Sequence, residues 1–250
     1  MKMKRMLSWA LCAVFIVVCF SGCVTVSLSP GGGGIVGEGP LESYTFPVGE
    51  IAEINVELLC DIRYYAVPAD TVMLEIQANL REYIVVEESG GVLTVRATRN
   101  IPWGWSDGRI PVLTVSTPVL EGLSLRGAGD FTAYDTITAD SFTLNLGGAA
   151  TGKANLNVGK LAVNMSGAGD FELSGKADIA ELNMSGAGNL DALPLQTRTT
   201  AVDLAGVGMV RVSCSESLRI SAGGLGAVEY KGSPSLDISR GGLVSVKKLD

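Results

Sequence analysis

The chain has 250 residues, with 26 acidic and 19 basic side chains, a net charge of −7 and no histidine. An acidic surface repels nucleic acid and anionic lipid headgroups, so neither is expected as a partner. Without histidine there can be no Ser-His-Asp or Cys-His nucleophilic site, no histidine metal site and no histidine pH switch.

The N-terminus begins with Lys2, Lys4 and Arg5 and no acid, followed by an apolar run from Met6 to Phe20 broken only by Ser8. Its 15 residues are short for a membrane span and suit the apolar region of a secretory signal. Phe20-Ser21-Gly22-Cys23 then places two small residues ahead of a cysteine and resembles a lipobox, with Phe where Leu is usual. Residues 1–22 are therefore expected to be removed as a signal peptide and Cys23 to be lipidated. Its several acyl chains, palmitate among them, would hold the protein on a membrane without crossing it. Val24 is not the Asp that resembles an inner-membrane retention signal, which favours the outer membrane if the cell is Gram-negative. Loss of Lys2, Lys4 and Arg5 moves the net charge from −7 to −10. Residues 23–43, with Gly31 to Gly34, Gly37 and Pro40, read as a flexible tether. The folded domain is expected over 44–250.

Strand patterning continues through Val48–Val56, Thr71–Ile76, Tyr83–Val86 and Val92–Val95, with Gly90-Gly91 as a turn. The loop Asn100 to Gly108 carries Trp103 and Trp105, which either cover the end of a core or offer rings to a sugar. Of the mature cysteines beyond Cys23, Cys60 and Cys214 read as two buried thiols, although spacing leaves a bond between them open.

The second half repeats. Leu123-Ser-Leu-Arg-Gly127-Ala-Gly-Asp-Phe131 returns as Val163-Asn-Met-Ser-Gly167-Ala-Gly-Asp-Phe171 and as Leu182-Asn-Met-Ser-Gly186-Ala-Gly-Asn-Leu190, with looser copies elsewhere. The key glycines are 127, 148, 167, 186, 206, 224 and 242, at steps of 21, 19, 19, 20, 18 and 18 residues. Each copy alternates apolar and polar residues before a glycine turn, and none has room for a helix. This pattern predicts an all-β parallel solenoid of about seven coils. Its interior columns are Leu123 to Ile238 (four before each glycine), Leu125 to Arg240 (two before) and Phe131 to Val246 (four after). The shrinkage of the second column to Ala222 and then Arg240 marks a terminal coil.

The row between the first two columns, Ser124, Asn145, Asn164, Asn183, Asp203, Ser221 and Ser239, should face outward. It is the candidate ligand-binding face, reading as a dock for a polar polymer or as a solvated ladder of self-bonding Asn side chains. Asp130 and Asp170 suggest calcium, but only two of the seven copies keep Asp there and the period is twice that of calcium-binding β-rolls. No metal, cofactor or catalytic residue is expected.

Val92-Leu-Thr-Val95, Val112-Leu-Thr-Val115-Ser-Thr-Pro118-Val-Leu120 and the serial Ser-Gly-Ala-Gly-Asp coils resemble the auto-transporter adhesin family with a head GIN domain. The resemblance implies a right-handed β-helix-like fold in the cell envelope and brings no catalytic residues with it. Arg126 and Val244 depart from the coil pattern. The expected function is non-enzymatic binding of a glycan or protein. A periplasmic scaffold or stress sensor is the alternative, followed by a polysaccharide-processing enzyme, for which the repeat faces lack clustered carboxylates.

Overall fold

The structure is a computed structural model that describes residues 35–98, 104–105 and 109–250. The signal segment, Cys23 and Trp103 lie outside the described residues, and Ile35–Asp250 forms one compact unit.

In chain order the strands are β1 (Val36–Gly37), β2 (Leu41–Pro47), β3 (Glu53–Val56), β4 (Asp61–Tyr65), β5 (Thr71–Gln77), β6 (Ile84–Ser89), β7 (Val92–Ala97), β8 (Gly104–Trp105) and β9 (Val112–Ser116). A 3-10 turn, Ala78–Tyr83, separates β5 from β6. There follow β10 (Gly122–Leu125), β11 (Ala128–Ala133), β12 (Ile137–Leu146), β13 (Ala149–Met165), β14 (Ala168–Met184), β15 (Ala187–Leu204), β16 (Val207–Ala222), β17 (Leu225–Lys231), β18 (Ser235–Arg240) and β19 (Leu243–Lys248). The long strands β13 to β16 each wind through a full coil and pair in parallel with the next.

Stacking follows the repeat. Leu123, Leu144, Val163, Leu182, Val202, Ile220 and Ile238 are successive register partners, and so are the members of the second column from Leu125 to Arg240. All except the terminal Ile238 and Arg240 are buried. Burial of side chains this size is worth about 1.5–3 kcal/mol each, and repetition of the columns makes the interior continuous.

The glycine turns stack backbone on backbone. The N–H groups of Ser166 and Gly167 both donate to the Leu146 carbonyl, at 2.9 and 3.0 Å, and Ser185 and Gly186 repeat this on Met165. A Cβ on Gly186 would fall inside the van der Waals envelope of the Gly167 carbonyl oxygen. Two residues on, Gly188 adopts φ +139°, a conformation that a side chain resists. Close approach and backbone angle thus require the Gly-x-Gly spacing separately.

The first half supplies two further rungs in an order the repeat does not reveal. β3 and β4 stack beneath β10 and β11, while β7 and β9, later in the chain, stack in parallel on the other side of β3 and β4. The chain therefore lays one rung, leaves to build the end of the solenoid, and returns to start the regular coils. That end is closed by antiparallel strands: β6 on β7, and β5 on β9 with β2 on β5. Among the described residues the first strand pairing is at Val36, and β2 runs across Tyr44. The Arg81 guanidinium lies over the rings of Phe46 and Tyr44, 4.6 and 5.6 Å from their centroids.

Cys60 and Cys214 are both buried and unbonded. They sit on rungs five coils apart, about 24 Å at the spacing of neighbouring strands, too far to be bridged. Burial pushes the Cys60 thiol far above its ordinary range, which keeps it protonated and inert.

Candidate functional site

Two outward faces carry regular polar columns, one before the glycine turn and one after it. On the first, the register places Thr94 and Asn55 ahead of Ser124, Asn145, Asn164, Asn183 and Asp203 in a single row. Its centre bonds to itself: Asn164 Nδ2 donates to Asn145 Oδ1 at 2.9 Å, and Asn183 Nδ2 donates to Asn164 Oδ1 at 3.0 Å. Such a ladder spends part of its hydrogen-bonding capacity internally. Its head opens into a cavity of about 340 Å³ lined by Asn55, Ser124, Asn145 and Arg126. Asn55 Oδ1 has no hydrogen-bond partner there. Of the predicted aromatic loop, Trp105 lies in β8, which pairs with β1.

The second face holds a groove of about 590 Å³ lined by five successive coils. One wall is Asp130, Thr151, Asp170, Asn189 and Met209, the residues three after each glycine. Thr151 Oγ1 donates to Asp130 Oδ1, Asn189 Nδ2 donates to Asp170 Oδ1 at 2.7 Å, and the Asp130 N–H donates to Asp61 Oδ1 at 2.9 Å. The other wall, five after each glycine, runs Thr132, Lys153, Glu172, Asp191 and Arg211. Arg211 ties itself to Asp191 at 3.3 Å and to Glu229 at 3.2 Å. Among the described residues Lys153 makes no ion pair, so its ammonium is available to a ligand.

This second wall was not singled out from the sequence, although the same glycine alignment that exposes the other columns displays it. A third cavity, about 770 Å³, opens beside Gln196, Arg198 and Ser215. Its lining stacks Asn157, Lys176, Gln196 and Ser213 as successive register partners, and it adjoins the point where the β15–β16 register slips. Among the described residues no group of three or more Cys, Asp or Glu side chains converges as a metal site.

Rigid coils presenting ordered polar columns around a continuous apolar interior define a parallel β-solenoid. The chain belongs to the family described as "Putative auto-transporter adhesin, head GIN domain", whose model matches residues 51–234. Among solved structures it is similar to a protein described as a putative adhesin from Bacteroides fragilis, at 26% identity and a TM-score of 0.80, covering 86% of this chain and 100% of that one. A Parabacteroides distasonis protein described as a putative adhesin shares the fold at 18% identity and a TM-score of 0.67, over 86% of this chain and 99% of that one. So does a protein from the same organism described as a putative lipid binding protein, at 20% identity and 0.64, with the same coverage of both chains. No functionally curated protein matches the chain.

Proposed function

We propose that this protein is a lipid-anchored cell-envelope component that binds a glycan or protein without catalysing a reaction, using the post-turn groove as its contact surface. The observation that carries the reading is the alignment of two largely polar walls over five coils, with the Lys153 cation between Thr132 and Glu172. A repeated surface of this kind meets an extended ligand at ~4.8 Å intervals and holds it without rearrangement, because the walls stand on strands rather than loops. The proposal places the anchor at Cys23, after removal of residues 1–22, with the segment up to residue 43 as tether, and the protein at the outer membrane if the cell is Gram-negative. Family membership and the similarity to the Bacteroides fragilis protein described as a putative adhesin support an envelope role. The groove takes precedence over the Ser124–Asp203 row because it joins two aligned walls and adds the Lys153 cation, whereas the row is a single column of neutral amides and hydroxyls ending in Asp203.

The test pairs location with binding. Intact cells are treated with protease and blotted, and detergent-solubilised full-length protein is used to capture envelope polysaccharide and protein fractions. Wild type is compared with a Lys153→Ala/Asp170→Ala variant. Digestion on intact cells and loss of captured material in the variant are expected. Equal capture by both proteins would remove the groove from consideration, and protection until lysis would favour a periplasmic scaffold or sensor.

A further inference from the structure

A half-buried tyrosine and an exposed one meet at the end of the groove where the regular coils begin. The rings of Tyr65, at the end of β4, and Tyr134, just past β11, stack with centroids 5.0 Å apart and planes 4° from parallel. They come from rungs 69 residues apart in sequence and adjacent in the stack, since Ala133 is the register partner of Tyr64. The backbone beneath them is pinned twice. The Tyr134 N–H donates to the Tyr64 carbonyl at 3.0 Å, and the Ala66 N–H donates to Asp135 Oδ2 at 3.0 Å. Despite the stacking, Tyr134 is 57% exposed.

The stack stops after two rings. Thr132 pairs with Lys153 and Ile137 with Leu156, so the segment carrying Tyr134 runs against Ala154 and Asn155 with a slip in register, and the rung after that presents Ser174, the register partner of Asn155. On the other side Tyr65 is followed by Ser116. These short polar side chains leave the outer ring face of Tyr134 uncovered. Tyr134 lies two residues beyond Thr132 on the same sheet face, so the ring stands about 7 Å from the Thr132–Lys153 wall of the groove.

We propose that the Tyr65–Tyr134 pair is a sugar-stacking platform that seats one pyranose ring of a neutral glycan on the free face of Tyr134. The hydroxyl rim of the ring is met by Asn155 and Lys153. This rests on the groove reading above and names its ligand class. A pyranose has an apolar C–H face and a rim of hydroxyls, and it needs a flat apolar surface bordered by amide and cationic donors. A protein anchor would instead favour an aromatic set in an apolar surround, whereas the neighbours here are Thr132, Lys153, Asn155 and Ser174. The pinned backbone and the support of Tyr65 hold the platform in place before the ligand arrives, which lowers the ordering cost of binding.

The experiment measures binding of cellohexaose, chitohexaose and mannohexaose to detergent-solubilised full-length protein by saturation-transfer NMR and calorimetry. Wild type is compared with Tyr134→Ala, Tyr134→Phe and the Lys153→Ala/Asp170→Ala groove variant. At least one hexasaccharide should bind. Tyr134→Ala should weaken it about tenfold and Tyr134→Phe by less than about threefold, since the ring face is kept. Melting temperatures of the Tyr134 variants check that the fold is intact, and Tyr134→Leu, which keeps bulk but removes the flat ring and should also lose about tenfold, carries the test if the alanine variant unfolds. Absence of binding by all three sugars, or equal affinity in wild type and Tyr134→Ala, overturns the platform. Loss in both variants is expected; loss in the groove variant alone sinks the platform and leaves the groove reading standing, whereas loss in Tyr134→Ala alone removes the groove and the Lys153 contact and leaves only stacking on Tyr134.

Discussion

The ring of Phe171 occupies the space where its stacking partner on the preceding coil, Gly152, has no side chain. A Cβ on Gly152 would lie 2.5 Å from Phe171 Cε1 and 2.8 Å from the Phe131 carbonyl oxygen. The column that reads Phe131, Gly152, Phe171 down the interior is therefore one large-small-large packing unit. Gly152→Ala should destabilise the protein by about 1–3 kcal/mol through overpacking. Combined with Phe171→Leu, the loss should be smaller than the sum of the two single changes, because the residues share one space. Urea unfolding of the four proteins measures the coupling, and strict additivity would refute the shared packing.

The stacked turns give a sharper contrast between two glycines. Gly186→Ala drives a methyl into the Gly167 carbonyl and should cost about 3 kcal/mol or more, since backbone must move. Gly223 has no atom within 4 Å of a would-be Cβ and a negative φ, so Gly223→Ala should stay within about 0.5 kcal/mol of wild type. Thermal melts of both variants decide whether close approach is what fixes the turn glycines.

Arg211 holds two carboxylates at once, Asp191 and Glu229, on half-exposed surface. Arg211→Ala should cost at most about 1 kcal/mol at low salt, and the difference should fade in 1 M salt, where such pairs are screened. A cost unchanged by salt would show that the alkyl stem, rather than the charge, packs the groove wall.

Tyr64 is fully buried, and its hydroxyl donates to the Thr117 carbonyl at 2.9 Å. Burial first, and then the nearby Asp135 carboxylate, push its phenol up to about 12 from the ordinary 10.0. The unfolded chain therefore loses this proton at lower pH than the folded protein. The stabilisation is complete below pH 10 and is lost as the pH rises from 10 towards 12, an amount of about 2–3 kcal/mol. Tyr64→Phe should give up about 1 kcal/mol at pH 7 and show a flatter stability profile above pH 10. Chemical denaturation at pH 8, 10 and 11 makes the comparison.

Much of this architecture could be read from residue order. The period of 18–21 residues, the alternation before each glycine and the turn chemistry after it are local properties. In a stack where each coil touches only its neighbours, local properties settle the register, so the three interior columns emerge as the observed pairings. The end of the solenoid was legible in the same way, through the change from Ala222 to Arg240.

What tertiary structure alone decided involves residues brought together without a shared repeat. The β7–β9 rung lies outside the earlier β3–β4 rung, and no periodic signal in residues 44–120 announces that reversal. Tyr65 and Tyr134 meet because a chain excursion of more than fifty residues returns to its starting rung, and neither tyrosine is marked by composition or spacing. The sequence also left two outcomes open for the Asn row, a solvated self-bonded ladder or a free docking face. The folded chain shows that Asn145, Asn164 and Asn183 do bond to one another, because stacking sets their side chains within bonding reach. Sequence determines the repeating unit wherever interactions are between nearest coils, and only the folded chain determines which distant residues share a surface.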